Sequence, residues 1–276
     1  MFGAGESLSD EHLQGKILID TGWDNAIRQD ARAYEGFFNY FASSGLLPDG
    51  EGIIDQLALY GFSTDDLDYC PLAHLDIDHA GGIDEVRNAG HVMCSQAEWK
   101  AAQKRNPRYL KRLWKNVRME TFPDQEYDFF QDGTLTTIPM HGHSAGMTAF
   151  RIGKPDHYVL IAGDAGYGRA SSERQVLPGA EWNRKEEAET LKKLRDYALD
   201  PHCDAVLMTH DTEQSQKTFI LEQEEIDYGS QAGNGNKTCG QSIYGSAPGR
   251  RGSKRTEAGN RTGQSGKRAA YSAGHR

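Results

Sequence analysis

The chain reads as an α/β protein, and three observations predict that class. Short apolar runs of the kind that form buried strands recur along it: Thr134 to Met140, Tyr158 to Ala162 and Ala205 to Thr209. They alternate with segments whose apolar residues return every three or four positions, such as Ile27, Ala31, Tyr34, Phe38 and Phe41. Polar residues able to do chemistry stand just past the carboxyl ends of the runs: Gly142-His143-Ser144, Gly163-Asp164 and His210-Asp211. Rigid strands fix geometry and loops expose groups, so α/β proteins place their chemistry there.

Taken in order, Ile17 to Asp20 is the first clear strand, ending in the turn Asp20-Thr21-Gly22. A helix is expected over residues 26–43 and a second over 53–60, with a turn at Ser63 to Asp66. Asp68 to Ala73 is extended, although Pro71 removes a ladder hydrogen bond where a central strand is expected. A short helix over 83–89 precedes a strand at His91 to Cys94. Ser95, with Glu98 three residues on, forms a capping-box signature for the next helix. Residues 107–117 read as a basic helix, with Leu110, Leu113, Trp114 and Val117 on its apolar side. Strands follow at 134–140, 147–152 and 158–162, then a charged helix over 181–197 and a strand at 205–209. No internal repeat is present.

The densest chemistry lies in His74-Leu75-Asp76-Ile77-Asp78-His79, followed at once by Gly81-Gly82. An extended segment turns alternate residues to one face, so His74, Asp76 and Asp78 share a side, and His79 falls where the glycines allow a turn. Imidazoles and carboxylates together suit zinc, iron, manganese or cobalt. His143, Asp164 and His210 supply matching ligand types further along. Singly, each is a weak signal, since a lone His after a strand is more often a hydrogen-bonded structural residue; repeated at one end of several strands, they point to a metal site.

This pattern of H-x-D-x-D-H, a distant G-H-S, an Asp and a last His resembles the metallo-β-lactamase-fold hydrolases, most of all their N-acyl-homoserine lactonase-like branch. The likeness covers about Ile17 to Asp211. It implies a four-layer αββα sandwich. Only sixteen residues precede Ile17, so the amino-terminal strands are expected to be shortened or absent. It implies two divalent metal ions. His74 and His143 would bind the first, Asp78, His79 and His210 the second, and Asp164 both. In the lactonases a Tyr three residues after the bridging Asp contacts the substrate carbonyl; Tyr167 stands at that offset, and a packed surface aromatic is the competing reading. The implied reaction is the opening of a lactone or related ester by a metal-bridged hydroxide, with Tyr167 and Asp78 as catalytic groups. A thioester, a β-lactam or a phosphodiester as substrate, or a catalytically weakened metal-binding protein, are the alternatives.

Asp76 stands where the family has a histidine. As a ligand it adds a negative charge and a hard oxygen, shifting preference from the family's zinc toward manganese or iron. The competing reading turns Asp76 away and leaves the first site weak. His141 is expected beside the ligands rather than among them. The basic run from Lys104 to Arg112 is either a lid that attracts an anion or a solvated helix face. The resemblance adds roles for this region over the pocket, through Tyr109 or Trp114, or in a homodimer contact; Trp23 is another candidate pocket wall.

Composition sets the outer limits. The 276 residues carry a net charge of −9. From Gly229 to Arg276 the chain is rich in Gly, Ser, Asn, Gln and Thr, with nine basic residues and one acid. Such a tail buries too little apolar surface to offset chain entropy, so the expected division is a hydrolase domain over 1–228 and a disordered basic tail over 229–276. The acidic remainder argues against general nucleic-acid affinity. No apolar run approaches the roughly 18 residues of a membrane span. Cys70, Cys94, Cys203 and Cys239 show no paired spacing and read as free thiols in a reducing cytoplasm. A small-molecule substrate is the expected partner. There is no G-x-S-x-G elbow and no phosphate-cradling G-x-x-x-x-G-K motif.

Overall fold

Two mixed sheets face each other in the computed structural model, which describes residues 8–12, 15–36, 40, 45–214, 218–222 and 240–245. The first sheet contains β1 (Leu8–His12), β2 (Gly15–Ile19), β3 (Tyr69–Pro71), β4 (His91–Ser95), β5 (Met119–Phe122), β11 (Thr218–Glu222) and β12 (Gly240–Gly245), in the order β11-β12-β1-β2-β3-β4-β5. The second contains β6 (Tyr127–Asp128), β7 (Leu135–Pro139), β8 (Thr148–Lys154), β9 (His157–Gly163) and β10 (Cys203–Met208), in the order β10-β9-β8-β7-β6. β2 to β5 pair in parallel, as do β9 and β10, and the other pairings are antiparallel.

Alternation along β2 shows how the layers stack. Ile17 and Ile19 join the core between the sheets with Leu135, Ile138 and Phe150. Leu18, between them, joins Ile53 and Leu57 of the helix Ile53–Leu59 on the outer face. Successive side chains of a strand point to opposite faces, so a strand buried on both sides needs this unbroken apolar run. On the second sheet the helix Arg184–Leu199 buries Glu187, Thr190, Leu191 and Leu194, one stripe of a 3.6-residue period. Asn183 starts it by accepting from the backbone N–H groups of Lys185 and Glu186, three residues inside the expected beginning. The expected αββα order is present.

Four local expectations change. The helix expected over 26–43 is interrupted: a 3-10 turn at Asn25–Arg28 precedes a short helix at Ala31–Glu35, which Gly36 ends at φ 80°. Residues 37–39 and 41–44 lie outside the described residues. The basic helix expected over 107–117 is a chain of single turns, with N–H groups of Tyr109, Leu113 and Val117 each donating three residues back. Pro107 and the Asn106 side chain, which accepts from Arg108 N–H, favour turns over a continuous helix. The glycine pair Gly81-Gly82 does not supply an unusual backbone angle at Gly81, whose φ is −59°. It makes room: a Cβ at Gly81 would lie 2.7 Å from Gly22 O, and one at Gly82 2.8 Å from Thr21 O.

The fourth change concerns the chain ends. Among the described residues β1 precedes β2 and pairs with it, so β2 is not an exposed edge. Within the segment read as a disordered tail, Gly240–Gly245 forms β12 and inserts between β1 and β11. Its Ile243-Tyr244 pair has strand propensity, and the unpaired edges of two five-residue strands give it a template. The rest of 229–276 lies outside the described residues.

Candidate metal centre

The turn after β2 builds one wall of the site. Asp20 adopts a left-handed backbone, φ 61°, a conformation that Asp tolerates better than most residues. Its Oδ1 accepts from Ala73 N–H at 2.7 Å and its Oδ2 lies 2.8 Å from His79 Nδ1. Thr21 donates from both its N–H and its hydroxyl to the His79 carbonyl. His79 is thus fixed at ring and backbone, with Nδ1–H committed to Asp20 and Nε2 aimed at the cluster.

Asp78 and His79 sit on the short helix Ile77–Ala80, while His74 and Asp76 lie on the irregular segment before it. The four residues are therefore not one alternating extended run. They converge with residues from three other strand ends. His79 Nε2 is 3.0 Å from Asp164 Oδ1, and His210 Nε2 is 3.1 Å from Asp164 Oδ2 and 3.5 Å from Asp78 Oδ2. His143 Nε2 lies 3.4 Å from Asp164 Oδ2. Two groups result, Asp78, His79, Asp164 and His210, and His74, His143 and Asp164; within each, the ligand atoms all lie within 4.8 Å of one another. Asp164 belongs to both.

These residues fit metal ions. Atoms bonded to one zinc-sized ion at about 2.0–2.2 Å stand about 3.0–3.5 Å apart, the spacing seen here. His74 is fully buried; its Nε2 meets Asp76 Oδ2 at 3.3 Å but its Nδ1 has no hydrogen-bond partner, and Nδ1 of His143 is likewise buried without one. Buried polar atoms left unpaired are costly, and a cation against the imidazoles removes part of that cost. The electrostatics agree. Burial opposes ionisation of Asp164, yet His79 and His210 hold it well below the ordinary carboxylate range. Burial would lower His210, but Asp164 and Asp78 push it up to about 10.

Asp76 lies beside the first group, outside its set of mutually close ligand atoms. Its Oδ2 is 3.3 Å from His74 Nε2 and 3.2 Å from His143 Nε2. The Arg108 guanidinium grips it from the other side, Nε to Oδ1 at 2.6 Å and Nη2 to Oδ2 at 2.5 Å. Tyr167 covers the site: its ring centroid is 4.6 Å from that of His210 and 5.9 Å from that of His143, and its hydroxyl is 3.4 Å from Gly179 O. Burial, then the Asp164, Asp78 and Asp76 carboxylates, raise its pKa, so the hydroxyl keeps its proton.

Other expected neighbours lie elsewhere. His141 pairs with Asp124 at 2.8 Å and does not face the cluster. Trp23 is buried with Ile27 and Leu47, and Trp114 packs edge-on against Trp99. Tyr109, by contrast, stays near the site: it is buried among Glu98, Asp76 and Arg108 and packs on Trp182, whose backbone N–H donates to the His143 carbonyl. The exposed Lys104, Arg105, Lys111 and Arg112 form a solvated face, from which Arg108 alone turns inward to Asp76.

Three residues at the site were not singled out by pattern alone. Asp20 was visible only as part of a turn. Arg108 was one of several basic residues. Glu98 was read as a capping partner; Ser95 does accept from its N–H, but the buried carboxylate leaves the cap. It accepts from Leu75 N–H, Ser144 Oγ and Gly146 N–H at 2.8–3.0 Å, tying the segment after His74 to the segment after His143.

Two facing mixed sheets with acid–imidazole clusters at their strand ends define an α/β protein built to hold metal ions. Residues 11–210 match the family model of the metallo-beta-lactamase superfamily, and the chain belongs to that superfamily. It is 29% identical over 212 residues to the N-acyl homoserine lactonase AttM of Agrobacterium fabrum, spanning 72% of this chain and 79% of that protein. It is 29% identical over 211 residues to an N-acyl homoserine lactonase of Bacillus cereus, spanning 75% and 80%. Among solved structures, an N-acyl homoserine lactone hydrolase with N-hexanoyl-L-homoserine at its catalytic metal center superposes with a TM-score of 0.62 at 22% identity, covering 77% of this chain and 93% of that one. The dizinc quorum-quenching lactonase AidC does so at 0.54 and 16%, covering 79% and 76%. These structural likenesses carry the fold.

Proposed function

We propose that this protein is a dinuclear hydrolase that opens lactones of the N-acyl homoserine class, or closely related esters. The observation that carries the reading is Asp164, which belongs to both ligand groups. His74 and His143 would hold one ion, Asp78, His79 and His210 the other, and Asp164 both. Two such ions, when bound, would supply a nucleophilic hydroxide at neutral pH and polarise the scissile carbonyl. The rest falls to the chain. Asp20 and Glu98 orient the ligand loops. Tyr167, protonated and packed against His143 and His210, donates to the carbonyl oxygen as charge develops there. Asp78, 18% exposed at its side chain and held ionised against its burial by His210 and His79, would take the proton of the hydroxyl added to the carbonyl and pass it to the departing alkoxide.

The imidazole-rich set favours zinc, and the Asp76 oxygen admits manganese or iron. The free thiols of Cys70, Cys94 and Cys203 suit a reducing cytoplasm. Among the described residues no helix is long and apolar enough to cross a membrane. Elemental analysis and a lactone-hydrolysis assay on one chelator-free sample test the reading. The expected result is about two transition-metal ions per chain together with turnover. A metal-free protein that cannot be reloaded would sink it, and preference for a thioester, β-lactam or phosphodiester in a substrate panel would replace the lactone. Tyr167→Phe is expected to slow ring opening at least several-fold with metal content unchanged; equal turnover removes Tyr167 from the reaction.

A further inference from the structure

The substitution of Asp76 for a family histidine has a physical counterpart 32 residues away. Arg108 meets the Asp76 carboxylate with two parallel N–H donors, at 2.6 and 2.5 Å, while its Nη1 donates to Ala180 O at 2.7 Å. Both side chains are more than four-fifths buried. The Asn106 turn points Arg108 inward while its basic neighbours face water. The carboxylate oxygen that Arg108 Nη2 holds is the same Oδ2 that faces His74 and His143.

A lone carboxylate at this position would add one negative charge to the first group of ligands. A two-pronged guanidinium cancels that charge and locks the orientation of both oxygens, which a lysine cannot do equally well. We propose that Arg108 is a positioning residue of the metal centre: it neutralises Asp76 and holds it against His74 and His143, so that the pair replaces one neutral imidazole. The assignment rests on the metal-centre reading above. It implies that Asp76 shifts metal preference away from zinc less than a free carboxylate would, and that neither residue of the pair is exchangeable alone.

A double-mutant cycle tests this by zinc titration of metal-free protein against a chelating indicator, with zinc–manganese competition, and without reference to turnover. Asp76→His leaves a buried guanidinium facing a dication, and is expected to weaken the more loosely held ion about tenfold or more. Arg108→Gln frees the carboxylate charge and is expected to move the competition toward manganese. The double variant, with an imidazole and no guanidinium, is expected within about threefold of wild type, because the two changes compensate. A double variant no better than Asp76→His, or an Asp76→His protein that binds both ions as wild type does, overturns the assignment. Arg108→Lys keeps the charge without the fork; it is expected to retain both ions but release zinc several-fold faster, and wild-type release rates in both Arg108 variants would equally overturn it. If Asp76→His fails to fold, Asp76→Asn takes its place in the cycle under the same criteria. A wild-type protein that takes up no ion defeats the metal-centre reading itself, a failure distinguishable before any variant is made.

Discussion

Glu98 bears on the site without touching it. Its carboxylate collects three hydrogen bonds from two loops that carry ligands, and removing it strands Leu75 N–H and Gly146 N–H in the interior. A buried donor left without its acceptor costs about 1–3 kcal/mol, so Glu98→Ala is expected to lower stability by about 2–4 kcal/mol. Zinc should also leave that variant faster, since His74 and His143 lose their common tether; unchanged release in a stopped-flow chelator assay would show that the tether is dispensable. Glu187 gives a pH-dependent effect. It is buried, neither carboxylate oxygen makes a hydrogen bond, and burial pushes it up to about 7, with His143 pulling the other way. A folded-state value above the ordinary 4.5 means that folding favours the neutral acid. Stability is therefore full below about 4.5, falls as pH rises through the window to about 7, and is flat above it. Glu187→Gln cannot ionise. It is expected to match wild type at pH 4.5 in urea unfolding and to exceed it by about 1–2 kcal/mol at pH 8. A constant difference across that range would mean that Glu187 does not titrate there.

Among the elements, the site depends on close approaches that only glycine permits. A Cβ on Gly146 would stand 2.2 Å from Glu98 N and 2.4 Å from Ser95 Oγ, at the start of the helix Gln96–Ala102. Gly133, in a turn at φ 80°, has nothing within 4 Å of the same position. Gly133→Ala is expected to cost only the left-handed backbone penalty of about 1–2 kcal/mol. Gly146→Ala carries no such backbone penalty but must displace helix backbone, and about 2–4 kcal/mol is expected, with loss of metal content. Equal melting temperatures for the two variants would refute the argument. The same contrast explains what was legible in the sequence. The strands that precede His143, Asp164 and His210 are short runs rich in apolar and β-branched residues, and both their positions and the polar residues after them could be read directly. Asp78 and His79 were legible as ligand types, but not as residues of a helical turn. The 107–117 segment deceived because apolar residues at helical spacing also suit successive turns once Pro107 and Asn106 interrupt the ladder. Asp20, Glu98 and Arg108 stayed hidden because their partners lie 59, 48 and 32 residues away, and no local pattern encodes such a pairing.

For the molecule as a whole, the question is where the folded unit ends. Composition places the boundary at residue 228, because the following segment is too polar to build a core. Sheet pairing places it beyond Gly245, because β12 supplies backbone hydrogen bonds on both its edges. These criteria differ physically: a strand inserted between two others needs little apolar burial of its own if its neighbours already stand in a sheet. Among the described residues β11 pairs with β12 alone, so removing β12 would detach β11 and turn β1 into an edge. A chain cut after residue 228 is therefore expected to melt several degrees lower than the full protein and to self-associate through the opened β1 edge, while a chain cut after residue 246 melts as the full protein does. Thermal unfolding and size-exclusion chromatography separate the two boundaries. If both truncations behave alike, the strand at 240–245 contributes nothing to the fold and composition alone marked the domain correctly. The metal dependence should persist in either case. Every residue of the two ligand groups lies between His74 and His210, so chelation is expected to lower the melting temperature of both truncated chains, through loss of about 3–4 kcal/mol of linked binding energy at metal concentrations 100 to 1,000 times the dissociation constant. A truncation that abolished this chelator effect would place the tail in the metal centre, contrary to the geometry of the two ligand groups.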